Sequence, residues 1–219
     1  MRRRHGWMIA LLVALPLATG CDFFEPDEPP LPPSGAVPIV PDFTDPDRTL
    51  ETVRLAVEAK ALRGGPTAYA LAFAESTITT TPEFHQFFSL TDANQWVLEG
   101  RSVPSDWQAS DERDFFANGA RSLISLRPEN YVMTWTPEDG NPREEGNGFF
   151  VYHQRYRIVA VDQAGNVAYL VAKGFADLTI TQLANSDWKI TRWSDRVDPE
   201  PELDPTLTPV TLGRRRLEF

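Results

Sequence analysis

From Phe149 to Gln182 two long runs alternate apolar and polar residues, 149–161 and 167–182, divided by the turn signal Gly165-Asn166. A period of two means strands with one buried face, and a tight turn between two such runs means an antiparallel hairpin. A hairpin this long must have its apolar face covered, so it dictates what the rest of the chain does. Pairing Val161 with Val167 places Tyr156 opposite Ala172, Gln154 opposite Gly174 and Tyr152 opposite Ala176. One face then sets Phe150, Tyr152, Tyr156 and Ile158 over small residues, which suits a curved surface for helices to pack on. The other face carries His153, Arg155, Arg157, Lys173 and Asp177, and reads as largely solvated.

The remaining periodicities fit around that hairpin. Leu50, Val53, Val57 and Ala61 recur at helical spacing, so a first helix is expected over 48–63, capped by Asp47 and ended by Gly64-Gly65. A shorter one is expected over 67–75, with Tyr69 and Phe73 one turn apart, then a short strand over 84–88 and an irregular stretch over 90–104. Ser105-Asp106-Trp107-Gln108 has the form of a capping box and opens a third helix to Ser122. Further strands are expected over 123–127, 131–136 and 188–196, with turns at Gly140-Asn141 and 185–187. Helices first and strands after is an α+β order: three N-terminal helices packed on a curved antiparallel sheet.

The chain before residue 48 reads differently. Arg2, Arg3 and Arg4 precede an apolar run, 7–17, too short to span a bilayer. Leu17-Ala18-Thr19-Gly20 leads through small residues to Cys21, the single cysteine. A secreted chain usually keeps its cysteines in pairs, so a lone one at the exit of a signal peptide points to modification. Residues 22–47 hold eight prolines in 26 positions, the composition of an extended, disordered tether reaching on the order of 80 Å; the alternative is that Val37-Pro38-Ile39-Val40 binds back on the domain. Without residues 1–20 the balance is 18 Lys+Arg against 31 Asp+Glu, a net −13 that repels nucleic acid. Residues 197–219, acidic and proline-rich, then basic at Arg214-Arg215-Arg216, read as a flexible tail.

Two resemblances follow. Leu17-Ala18-Thr19-Gly20-Cys21 resembles the bacterial lipobox, although Ala18 stands where the commonest form has Leu. It implies lipidation at Cys21, after removal of signal peptide 1–20, in a bacterial cell envelope, with the domain facing the periplasm or the cell exterior. The order of elements over 48–196 resembles the cone-shaped α+β domains named after nuclear transport factor 2, which include the polyketide cyclases and share a cystatin-like layout. The residues that carry it are Thr67 to Phe73, then Trp107, Glu112 and Phe116, and the closing run Trp188-Lys189-Ile190-Thr191-Arg192-Trp193-Ser194-Asp195. Thr211-Leu212-Gly213-Arg214 to Phe219 resembles the short tail of lipid-anchored relatives. The resemblance implies a deep pocket between helices and sheet, and no particular reaction, because this fold hosts enzymes, binding modules and dimerisation domains.

The inventory for chemistry is thin. His85 lies among phenylalanines and His153 on the outer face, which makes neither a metal site nor an evident base. Asp111, Glu112 and Asp114 read as first-turn charges on a solvated helix face. Gly146-Asn147-Gly148 lacks the helix that would make it a phosphate loop. Tyr152, Tyr156 and Arg192 are the polar groups closest to the expected pocket, suited to an anionic or aromatic ligand. No catalytic residue, metal or cofactor is assigned. The expectation is a lipid-anchored, non-enzymatic domain that binds a small molecule or an envelope protein. The alternative is a small-molecule isomerase, cyclase or hydrolase using the cone pocket. A homodimer through the outer sheet face is left open, although Arg155 and Lys173 sit side by side there.

Overall fold

The computed structural model describes residues 38–75, 82–138, 143–202, 204 and 207–219. All belong to the unit Val37–Phe219. Signal peptide, Cys21 and most of the tether lie outside the described residues.

The fold is α+β. Helix α1 spans Pro46–Ala59 and buries Leu50, Val53, Ala56 and Val57 along one stripe. It starts two residues earlier than expected, because Asp45, not Asp47, is the cap, its carboxylate accepting the Asp47 N–H at 2.8 Å. It also stops earlier, at Lys60, whose φ of +54° leaves the helical region. Helix α2, Gly65–Leu71, follows at once. Gly65 is obligatory there, since a Cβ would fall 2.1 Å from the Lys60 carbonyl oxygen.

Strand β1, His85–Phe87, pairs in parallel with the last strand, so the sheet is mixed and not purely antiparallel. The stretch expected to be irregular contains helix α3, Leu90–Leu98. Ser89 caps it by accepting the Asp92 N–H at 3.0 Å. Ser89-Leu90-Thr91-Asp92 is itself a capping-box pattern, so the signal was in the sequence. Helix α4, Ala109–Ala117, starts after Gln108, whose N–H reaches the Asp111 carboxylate at 2.9 Å. Trp107 is therefore outside the helix it was expected to open. Among the described residues four helices, not three, precede the main strands. Leu123–Ser125, expected as strand, is a single 3-10 turn.

The meander then runs β2 Asn130–Pro137, β3 Arg143–Gly146, β4 Phe149–Val161, β5 Val167–Gln182 and β6 Trp188–Arg196, in the order β1-β6-β5-β4-β2 with β3 also on β4. The hairpin keeps the expected Val161–Val167 pair, but Tyr156 lies opposite Gly174 and Tyr152 opposite Leu178. Two one-residue irregularities, between Ile158 and Val159 and between Ala160 and Val161, shift the register by two in total. An even shift preserves the faces, and bulges of this kind bend and twist the sheet.

Residues 38–47, for which binding back on the domain is the alternative to a free tether, are packed, and so is the described part of the stretch after β6. Ile39 donates its N–H to the Arg63 carbonyl at 2.8 Å, and Phe43 joins the core. After β6 the chain crosses the outer sheet face. Lys173, expected in solvent, has only 3% of its side chain exposed and sits 3.3 Å from both Asp198 and Glu202. Arg155 pairs with Asp198 at 2.6 Å and Arg157 with Glu202 at 3.0 Å. The chain then forms helix α5, Leu212–Glu218, capped by Thr211, which docks with Leu212 and Leu217 buried. The compensation of so much like charge explains the correction: a strap of acids neutralises a row of cations that sequence alone leaves facing water.

Candidate functional site

The inside of the cone is where the resemblance places a pocket, and a closed polar cluster occupies it. Helix α4 buries Ala109, Glu112, Phe115 and Phe116, so Glu112 is turned fully inward and is not on a solvated face. Alternation along β6 points Trp193 and Asp195 to the same interior. Tyr69 comes from α2, Gln86 from β1, Tyr156 from β4 and Arg216 from α5. The Arg216 side chain is 0% exposed, as are those of Glu112 and Asp195.

Both carboxylates are saturated. Arg216 Nε and Nη2 each lie 2.7 Å from the Glu112 carboxylate in a two-pronged fork, and Nη1 reaches Asp195 at 3.0 Å. Glu112 also accepts from the Tyr69 hydroxyl at 2.5 Å and from the Trp107 indole N–H at 2.9 Å. Asp195 accepts from the Tyr156 hydroxyl at 2.8 Å, from the Trp193 indole N–H at 3.1 Å and from the Gln86 amide N–H at 3.0 Å. Each of the four carboxylate oxygens thus accepts two hydrogen bonds. The guanidinium carbon lies 4.6 Å from the Trp193 ring centre and 5.6 Å from that of Phe115. Charge-assisted, bidentate contacts of this sort are the strong ones, and in a dry interior they hold a unique geometry.

Two carboxylates face one guanidinium. Burial pushes the Asp195 carboxyl up, against the pull of Arg216. Burial and the adjacent carboxylates push the Tyr69 and Tyr156 phenols well up, so both remain donors. Attraction to Glu112 and Asp195 outweighs burial and raises Arg216, which stays charged. Carboxylates with every acceptor position engaged and no exposure have no lone pair left to take a proton from a substrate.

The ligand-binding residues expected from sequence do not converge. Tyr156 is in the cluster, and its oxygen also accepts the Leu212 N–H at 2.8 Å. Tyr152 lies at the start of α1, donating to Asp47 at 2.6 Å and accepting from Arg143 at 3.1 Å. Arg192 is exposed and stacks on Phe87 at 4.2 Å, because the alternation that buries Trp193 turns it outward. His85 pairs with Asp106 at 3.0 Å and His153 with Asp177 at 2.7 Å, both away from the cluster. Sequence reasoning missed Arg216, Asp195, Tyr69 and Trp107. The signal that could have found them is an interior acid, Glu112, together with a basic run in a tail whose composition suggests mobility.

An outer cleft of about 570 Å³ lies between α2, α4 and the β5–β6 turn. Lys189 lines it, with 10% of its side chain exposed and its ammonium 2.7 Å from the Leu71 carbonyl. Burial, partly offset by Asp187, lowers its pKa to about 8.

The fold is α+β, with helices on a mixed sheet and a buried polar cluster between them. No protein-family model matches the chain, and no curated protein matches it. Among solved structures it is similar to a protein of unknown function from Mycobacterium tuberculosis, at 12% identity over 74% of each chain and a TM-score of 0.46. It is also similar to a nuclear transport factor 2-like superfamily protein from Salmonella enterica, at 11% identity over 71% of this chain and 90% of that one, TM-score 0.45. A Kribbella flavida protein matches at 12% identity over 72% and 90%, TM-score 0.46. At these levels the likenesses say nothing about activity.

Proposed function

We propose that this protein is anchored in a bacterial cell envelope through lipid on Cys21, and that its domain works by binding or assembly, not by turnover inside the cone. The observation that carries the reading is Arg216: its buried guanidinium, delivered by α5, engages both Glu112 and Asp195, the acids that a catalytic pocket would need free. The tether places the domain at a distance from the membrane, where a partner on an envelope protein is within reach. The acidic balance repels nucleic acid and speaks against it as that partner. A second copy of the chain meeting the outer sheet face would have to share it with residues 198–202.

The test uses the indole N–H resonances of Trp107 and Trp193. In the intact chain, a screen of small molecules is expected to leave both unmoved while shifting surface resonances. A compound that moves them would return the cone to the enzyme reading. That second reading has one observation in its favour, and it lies outside the cone: a lysine with lowered pKa lining a cleft is the arrangement that makes an amine nucleophilic near neutral pH.

A further inference from the structure

We propose that the cleft where α3 meets α5 is an anion-binding site, and that it takes the dianionic phosphoryl group of a small phosphate monoester. The site lies outside the cone, so it stands apart from the reading of the interior given above.

The fold divides the run Arg214-Arg215-Arg216. Arg216 turns inward, while Arg214 and Arg215 line an outer cleft of about 360 Å³ together with Arg101 and Arg121. Glu99 and Glu218 are the acids on the same wall. Four guanidiniums against two carboxylates leave two positive charges in surplus, in a chain whose overall balance is acidic. Both acids are already engaged. Arg214 donates to both oxygens of Glu99 at 2.9 Å and to one of Glu218 at 3.1 Å. Arg215 donates to the other Glu218 oxygen at 3.1 Å, and also to the Val171 carbonyl and the Tyr169 hydroxyl. The surplus therefore sits on Arg101 and Arg121. Among the described residues Arg101 has no hydrogen bond or ion pair; its guanidinium carbon lies 4.3 Å from the Trp96 ring centre. Arg121 gives one N–H to the Glu218 carbonyl at 3.2 Å.

The wall also carries an unmet donor. Arg214 Nη1 is buried and has no partner among the described residues. A buried donor without an acceptor is costly, so this position favours an incoming oxygen. The Arg214 guanidinium carbon lies 4.6 Å from the ring that Arg101 stacks on. Trp96 is itself buried and fixed, its indole donating to the Ser102 carbonyl at 3.2 Å. One ring thus holds two guanidiniums in place before a ligand arrives, which reduces the ordering cost of binding. Guanidiniums present forked N–H groups that match the oxygens of a carboxylate or a phosphate. A carboxylate brings one charge and two oxygens. A phosphate monoester near neutral pH brings about two charges and three oxygens. That matches the surplus, and it matches the three groups with donors to spare: Arg101, Arg121 and Arg214 Nη1. The cleft volume is at the lower end for small-molecule sites, which suits a small ester.

The experiment titrates the full chain with methyl phosphate at about pH 7.5, where the ester is dianionic, following the Trp96 indole N–H resonance. Ionic strength is held fixed, because salt screens exposed cations. A saturable shift is expected, with a Kd at least tenfold below those of acetate and of dimethyl phosphate, which carries the single charge of a phospholipid diester. Arg101→Gln combined with Arg121→Gln is expected to weaken methyl phosphate at least tenfold and to leave the melting curve unchanged, since both residues are exposed. No saturable shift, an equal response to acetate, or undiminished binding by the double variant overturns the site. Tighter binding of dimethyl phosphate overturns the monoester and points to a lipid headgroup. Movement of the Trp107 or Trp193 indoles would count against the reading of the interior, and a motionless Trp96 against this site, so the two failures are told apart.

Discussion

Arg216 concentrates the energetics of the fold in one side chain. Removing one partner of a buried charge pair leaves the other uncompensated, which costs about 3–5 kcal/mol. Arg216→Ala is therefore expected to lower the Tm by roughly 10 °C in a thermal scan. The deficit should shrink as pH falls. Asp195 already has its pKa raised by burial, so its contribution is greatest below the unfolded carboxyl value and is lost as pH rises through the folded one. Taking away the guanidinium extends that window upward; a deficit independent of pH between 7 and 5 would refute this. Lys189 gives the opposite sign. Its folded pKa, about 8, lies below the ordinary 10.5, so stability from this group is present above 10.5 and lost as pH falls through 8. Lys189→Met is expected to be more stable than the parent below pH 8, with the gap closing by pH 10.5 in parallel melts. Neither residue was legible as special. An arginine in a basic run and a lysine on a strand become special only through the acids and carbonyls that the fold brings to them.

At the level of elements, the strands were legible and the ends of helices were not. The bounds of β4, β5 and β6 follow from alternation that persists over nine residues or more, with turn residues at each end. The register was not so readable, because each irregularity is a local choice between twist and pairing that no period records. Tyr156 and Gly174 show what that choice decides. A Cβ at Gly174 would lie 2.7 Å from the Tyr156 hydroxyl and 2.8 Å from the Arg196 carbonyl oxygen. Gly174→Ala is expected to cost about 1–3 kcal/mol, read as a lower urea midpoint with unchanged slope. The strap over the outer face makes its own prediction. Burial works against ionised Asp198, but the Glu200 N–H, Arg155 and Lys173 outweigh it and hold the carboxyl low; Arg157 does the same for Glu202. A depressed carboxyl stabilises above its unfolded value and stops doing so as pH falls through the folded one, so the strap should release only below about pH 4. The Lys173 amide, which donates to the Val210 carbonyl, reports it by NMR; release already at pH 6 would contradict the assignment.

For the whole molecule, the anchor remains a prediction about chemistry at one atom. Intact mass of the mature protein is expected to show Cys21 as its first residue, carrying a diacylglyceryl thioether and an N-acyl chain. Cys21→Ser is expected to move the protein from the membrane to the soluble fraction, since two or more chains hold stably and none does not. An unmodified N-terminus would sink the reading. Sequence by itself determined the α+β order, the long hairpin and its two faces, because those depend on periodicities carried by neighbours in the chain. Only the tertiary structure decided what fills the cone. That answer depends on residues more than a hundred positions apart, Glu112 and Arg216, and on burial removing the water that would otherwise hold them separately. The same physics turned a tail that composition reads as mobile into the part that closes the domain.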